Sequence, residues 1–239
     1  MSTFLRLVRM VTAGSFAVTT LLAGCSDGDG KPGPDGGESA ITVAMMQAGV
    51  LQPADVGQTW KKSAESPSPN SMIALCGGLA TRPPVPGTPS VVASSIADEG
   101  EQGAQAFDQV GLVYPDARAA ETALAGLRTA AAACPPTASA SAGPRGESVE
   151  AAYTETTTVT TLNSGEWSGF VVVRHKVYQP ANTGSADTAV AVLGQRNAVV
   201  VASYAVYWVG AHSTGPEFTS DWRRIVGTVL SRVDAKRGG

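Results

Sequence analysis

The stretch Trp167-Ser-Gly-Phe-Val-Val-Val-Arg-His-Lys-Val-Tyr178 alternates along its length. Successive side chains of a β-strand leave opposite faces, so Trp167, Val171, Val173, His175 and Val177 share one face. Phe170, Val172, Arg174, Lys176 and Tyr178 share the other. The first face is apolar apart from one imidazole and needs cover. The second mixes aromatic bodies with cationic heads, which reads as an open sheet surface and a candidate ligand-binding face made by Phe170, Arg174, Lys176 and Tyr178.

Working outward, this strand has strands on both sides. Val149 to Leu162 is Thr-rich, strand by β-propensity, and Asn163-Ser-Gly165 reads as a hairpin turn into Trp167. Beyond Tyr178, Pro180 to Ala186 reads as a turn and Thr188 to Leu193 as a short strand. Gly194-Gln-Arg196 is a second turn. Ala198 to Trp208 is a nearly continuous apolar run, which predicts a central strand. Upstream, Ser90 to Ile96 and Gly103 to Tyr114 are strands. Ala117 to Cys134 follows Pro115-Asp116 as a helix, with Ala120, Leu124, Leu127 and Ala131 on one apolar face. A closing helix from Pro216 to about Val233 carries Phe218, Trp222, Ile225, Val229 and Val233 at core-facing spacing.

Between Gln52 and Gly57 a short helix with Pro53 in its first turn is expected. Ser71 to Leu79 reads as a helical segment and Thr81 to Pro89, with four prolines, as an extended connector. Lys61 to Asn70 and Thr137 to Glu147 read as loops. Strands in series followed by helices predict an α+β fold: a single domain over residues 40–235, an antiparallel β-sheet with helices packed on one face.

The N-terminus predicts location. Arg6 and Arg9 precede an apolar or small run of about 14 residues, Met10 to Ala23, which has the layout of a secretory signal. That run falls short of the roughly 20 residues a spanning helix needs. Leu21-Leu-Ala-Gly-Cys25 resembles the lipobox of bacterial lipoproteins. The resemblance implies cleavage after Gly24, a diacylglyceryl thioether on Cys25 and a protein held on the extracytoplasmic face of the cell membrane. Ser26 to Ser39 (SDGDGKPGPDGGES) has no apolar residue and reads as a flexible tether, so residues 25–39 join anchor to domain.

Of the 17 basic residues, Arg6 and Arg9 lie in the signal, leaving 15 against 20 acidic ones. A net charge of −5 argues against a nucleic-acid partner, which requires a basic patch. With Cys25 assigned to lipid, Cys76 and Cys134 are an even pair in an oxidising compartment and read as a disulfide; two buried free thiols are the alternative. Two histidines and no Cys-x-x-Cys give no zinc pattern. No cofactor signature occurs.

Leu51, Asp55, Val56, Gly57 and Trp60 form Leu-x-x-x-Asp-Val-Gly-x-x-Trp. Cys76 follows, then Phe107 through Tyr114-Pro115 into the Ala-rich helix ending at Cys134, Gly146-Glu147-Ser148, and the strand Arg196 to Val201. In this order, over about residues 41 to 235, the chain resembles actinobacterial lipoproteins akin to the extracellular sensor domain of PknH-type Ser/Thr kinases. The resemblance implies an antiparallel sheet with helices on one side and a cleft on the other for an unidentified ligand. The kinase relatives have a second disulfide, for which this chain lacks the cysteines.

No catalytic motif stands out. Gly165-Glu-Trp-Ser168-Gly169 is one residue off a nucleophile elbow and lies between turn and strand rather than strand and helix. His212 sits in a Gly-flanked loop, and His175 on a strand reads as a satisfied core or cleft histidine. The expectation is a non-enzymatic module that captures a small, cell-wall-derived or protein ligand. A cell-envelope hydrolase using Ser168 or His212, or a structural surface lipoprotein, is the alternative.

Overall fold

The structure, a computed structural model, describes residues 40–63, 68–77, 83–100, 103–145, 148–180, 183–210 and 214–236. The signal, Cys25, the tether and His212 lie outside the described residues. The helices are α1 (Val43–Ala48), α2 (Pro53–Val56), α3 (Pro69–Met72), α4 (Ala117–Ala132) and α5 (Pro216–Ala235). The strands are β1 (Lys61–Lys62), β2 (Ser90–Gly100), β3 (Gly103–Val113), β4 (Thr137–Ala140), β5 (Gly143–Arg145), β6 (Ser148–Glu150), β7 (Tyr153–Ser164), β8 (Trp167–Tyr178), β9 (Gly184–Gln195) and β10 (Ala198–Val209).

Eight strands make one antiparallel sheet in the order β1-β2-β3-β10-β9-β8-β7-β4, while β5 and β6 pair separately. β7 to β10 run as consecutive hairpins, and β10 then docks beside β3, joining them to the β2–β3 hairpin. The α+β class and the single sheet stand as expected. The loop expected over residues 137–147 contains β4 and β5, and β9 begins at Gly184 inside the expected turn.

The placement of the helices corrects the expectation of a one-sided sheet. α5 buries Phe218, Trp222, Ile225, Val226, Val229, Leu230 and Val233, packed with Val171, Ala189, Ala191, Val200 and Tyr204. α4 buries Ala120, Ala123, Leu127 and Ala131, packed with Phe170, Val172, Val190, Val192 and Val201. Alternate residues of the same strands thus meet different helices. The physical reason lies in β9 and β10, which are apolar on both faces and must be covered on both. α4 connects β3, in the middle of the sheet, to β4 at its edge, and so crosses β10, β9 and β8 on the way.

Two devices fasten the periphery. Cys76 is disulfide-bonded to Cys134, tying the chain after α3 to the end of α4. Arg232 of α5 donates twice to Asp55 of α2, Nη1 to Oδ2 and Nη2 to Oδ1, each at 2.7 Å. These bonds, with the Gln52 amide donating to the same carboxylate, lower the Asp55 pKa from 3.8 to about 2. A depressed folded pKa means that the stabilisation is present above 3.8 and is lost as pH falls through 2. The pair is partly exposed, so its contribution is about 0.5–1 kcal/mol. Asp55→Asn should lower urea stability by that amount at pH 7 and match the unaltered protein near pH 2. An equal gap at both values would count against the ion pair as the cause.

Candidate functional site

The face expected to be open is covered in three stages. Phe170 is fully buried under α4, with the Arg128 guanidinium 5.3 Å from its ring centroid and donating to the Gly169 carbonyl at 2.9 Å. Arg174 lies 3.6 Å from Glu155, itself buried on β7. Gly77 sits so closely on Glu155 that a Cβ there would fall 1.4 Å from its Oε1, so the segment following Cys76 caps this ion pair. Lys176 reaches Glu150 of β6 at 2.8 Å and stands 3.9 Å over the Tyr153 ring. Tyr178 meets the same ring edge-on and donates to Glu150 at 3.4 Å. The four residues are therefore packing and ion-pair partners, not one open platform. Glu150 and Glu155, distant in sequence, supply the cover that the alternation of β8 does not encode.

On the opposite face His175 and Asp187 are directly paired across β8 and β9. His175 Nδ1 lies 2.8 Å from Asp187 Oδ1, and the Thr214 hydroxyl donates to the same oxygen. A carboxylate oxygen accepts, so Nδ1 is the donor of this pair. That is the base half of a nucleophilic triad. The other half is missing from the geometry: Thr214 Oγ1 is 3.2 Å from Nδ1, on the carboxylate side of the ring. No hydroxyl of the described residues is bonded to Nε2. The arrangement holds the segment entering α5 against the sheet, with Asp187 wholly buried.

A cavity of about 540 Å³ opens elsewhere, where the first half of α4 passes the end of the sheet. It is lined by Ala120, Glu121, Leu124, Glu166, Ser168, Gly194, Gln195, Arg196 and Ala198. Two hairpin turns build its rim. Ser164 pairs with Trp167, so Gly165 and Glu166 form the β7–β8 turn, and Gly165 has φ 59°, which glycine accepts without a Cβ clash. Gln195 pairs with Ala198, so Arg196 and Asn197 form the β9–β10 turn. Arg196 has φ 53°, a left-handed backbone at a position where glycine is usual. Gly194 leaves room beside Leu124, whose Cδ2 would be 2.9 Å from a Cβ there.

Gln195 ties the two turns together behind the cavity wall. Gln195 is buried, and its Nε2 donates to Glu166 Oε2 at 2.5 Å. Its Oε1 is buried and has no partner. Ser168 is exposed at the rim, and among the described residues no imidazole lines this cavity with it. A second cavity, of about 430 Å³, lies between Pro86-Gly87-Thr88 and the start of α4. There the Tyr114 hydroxyl donates to the Pro86 carbonyl at 2.9 Å, and burial pushes this phenol up to about 12. Among the described residues no group of three or more His, Cys, Asp or Glu is placed to hold a metal ion, and no helix is long and apolar enough to cross a membrane.

Glu121, Glu166, Gln195 and Arg196 were not singled out by sequence reasoning. One signal could have found part of the set. In consecutive antiparallel hairpins the β7–β8 and β9–β10 turns fall at the same end of the sheet, so Glu166 and Arg196 share an end by topology alone.

No family model and no curated protein matches this chain. Among solved structures it is similar to the crystal structure of the extracellular domain of PknH from Mycobacterium tuberculosis, at a TM-score of 0.51 and 15% identity, over 83% of this chain and 100% of that chain. At that identity the likeness is one of fold, and it agrees with the expected α+β class and antiparallel sheet.

Proposed function

We propose that this chain is a lipid-anchored extracytoplasmic binding or sensing module that acts without catalysis. Its folded domain takes a small, envelope-derived or protein ligand, and the 540 Å³ cavity at the end of the sheet is the place for a small one. The observation that carries the reading is the cavity itself, walled by α4 and two hairpin turns and lined by Glu121, Glu166, Gln195 and Arg196. Pockets of roughly 300–1,000 Å³ with a few fixed polar groups are the usual form of a small-molecule site. The fold of an extracellular domain and the disulfide support an extracytoplasmic setting. Leu21-Leu-Ala-Gly-Cys25 supports the anchor.

The two halves of the proposal are tested separately. Cys25→Ala should move the protein from the membrane fraction to the soluble fraction, and mass spectrometry of the unaltered protein should find Cys25 lipidated at a new N-terminus. A free, unmodified Cys25 would overturn the anchor. For binding, envelope extracts should raise the melting temperature of the purified protein. A broad panel without any shift would overturn the binding reading.

A further inference from the structure

We infer that the open half of β7 pairs edge to edge with the same strand of a second copy of this chain, joining two sheets into one across a two-fold axis. β7 runs from Tyr153 to Ser164, but β4 covers its outer side only from Tyr153 to Thr156. The last bond on that side is the Thr157 amide donating to the Pro136 carbonyl at 2.9 Å. Backbone groups alternate in direction along a strand, so Val159, Thr161 and Asn163 aim their N–H and C=O groups the same way, out of the sheet edge. Among the described residues no strand lies against them.

This edge carries none of the devices that keep strands apart. Thr158-Val-Thr-Thr-Leu-Asn-Ser164 has no charge, proline or glycine. Thr158, Val159, Thr160, Thr161 and Asn163 are all exposed, Val159 by 40%. The opposite edge of the sheet is guarded: β1 sets exposed Lys61 and Lys62 beside β2, and Pro89 precedes β2. A β7 edge seeking the far edge of another copy would meet those lysines, and such head-to-tail pairing would extend without closing. Pairing of β7 with β7 is isologous and closes as a dimer. The chain is acidic overall, and an uncharged strip lets two copies approach without like charges facing.

The register follows from the same residues. Centred on Thr161, antiparallel pairing sets Thr161 opposite its own counterpart and Val159 opposite Asn163 of the second copy. Each such pair exchanges both its N–H···O=C bonds, and Thr157 stays with Pro136. A centre nearer Val159 would drive the copy against β4, and one nearer Asn163 would leave Val159 facing a turn.

In membranes holding the full-length chain, Thr161→Cys should give a disulfide-linked dimer on mild oxidation. Directly opposed residues of such a pair have Cα atoms about 5.5 Å apart, within disulfide reach. Thr158→Cys should not cross-link to itself, because this register places its counterpart roughly 20 Å away along the strand. Light scattering in detergent should find the unaltered protein dimeric. Thr161→Lys, which brings two ammonium groups face to face, should be monomeric. Its circular dichroism should match that of the unaltered protein, since Thr161 is exposed. Absence of the Thr161→Cys dimer, equal cross-linking of Thr158→Cys, a ladder of higher oligomers, or a folded Thr161→Lys that stays dimeric would each overturn the inference. Cross-linking of Thr161→Cys to a different protein would overturn the second copy as the occupant of this edge.

Discussion

Replacing Cys76 and Cys134 together by alanine is expected to lower the unfolding free energy by about 2–4 kcal/mol. The two cysteines are 58 residues apart, and the chain-entropy model for a loop of that size gives about 4 kcal/mol as the upper end. With a urea dependence of about 2 kcal/mol/M, the midpoint should fall by roughly 1–2 M. The location of the staple predicts where the loss is felt first. Cys76 ends a short apolar run, Met72, Ile73 and Leu75, that is buried against α4, and Gly77 beyond it caps Glu155. Freed from Cys134, this segment should exchange its amide hydrogens faster while β8, β9 and β10 keep their protection. Two titratable thiols in the denatured, unreduced protein would show that the bond does not form. A loss under about 0.5 kcal/mol would show that packing alone holds the segment.

The alternation of β8 and the helical spacing of α4 and α5 were legible because each is a local period imposed by one buried face. Trp167 to Tyr178 is a strand over the range read from the sequence, and the seven buried residues of α5 include all five expected ones. The second face of the sheet was not legible for a specific reason. Its residues change character halfway along β8, from Phe170 and Val172 to Arg174, Lys176 and Tyr178, and the cationic half looks like a solvated end. In the structure the apolar half lies under α4 and the cationic half meets Glu155 and Glu150. Partners supplied by other strands leave no mark in the pattern of β8 itself.

The start of β9 failed in a related way. Gly184-Ser-Ala-Asp187 is composed of turn-forming residues. Asp187 is nevertheless buried in a strand because His175, directly opposite, and Thr214 satisfy one of its oxygens. A tertiary partner overrode local propensity there. The cavity is the extreme case: Glu121 and Arg196 are 75 positions apart and line it together only because α4 passes over the end of β9.

Asn197→Leu is expected to lower stability by about 3–5 kcal/mol, the scale set by stranding several buried polar groups. Asn197 is the second central residue of the turn that lines the cavity, yet its side chain points away into the core. Its Oδ1 accepts from the Ile41 amide at 2.8 Å, and its Nδ2 donates to the Ile41 carbonyl at 3.1 Å and to the Tyr114 carbonyl at 2.9 Å. The Asn197 carbonyl also accepts from the Tyr114 amide at 2.8 Å. One amide side chain thus joins three segments: the start of the domain, the end of β3 and the β9–β10 turn. Leucine fills the volume but leaves the Ile41 amide and two carbonyls without partners in a site where Ile41 and Tyr114 are buried.

Asn197→Asp separates hydrogen bonding from shape. It keeps the acceptor for Ile41 but sets a carboxylate oxygen against two carbonyls, so at neutral pH it should be no better than leucine. Protonation below pH 4 restores one donor, and the aspartate variant should then recover relative to leucine. If Asn197→Leu unfolds within about 1 kcal/mol of the unaltered protein, the clip is not what holds these segments together. If it unfolds as expected, the turn carrying Arg196 is fixed by its own neighbour in sequence. The shape of the cavity is then set from the core side, by a wall whose geometry was fixed when the domain folded.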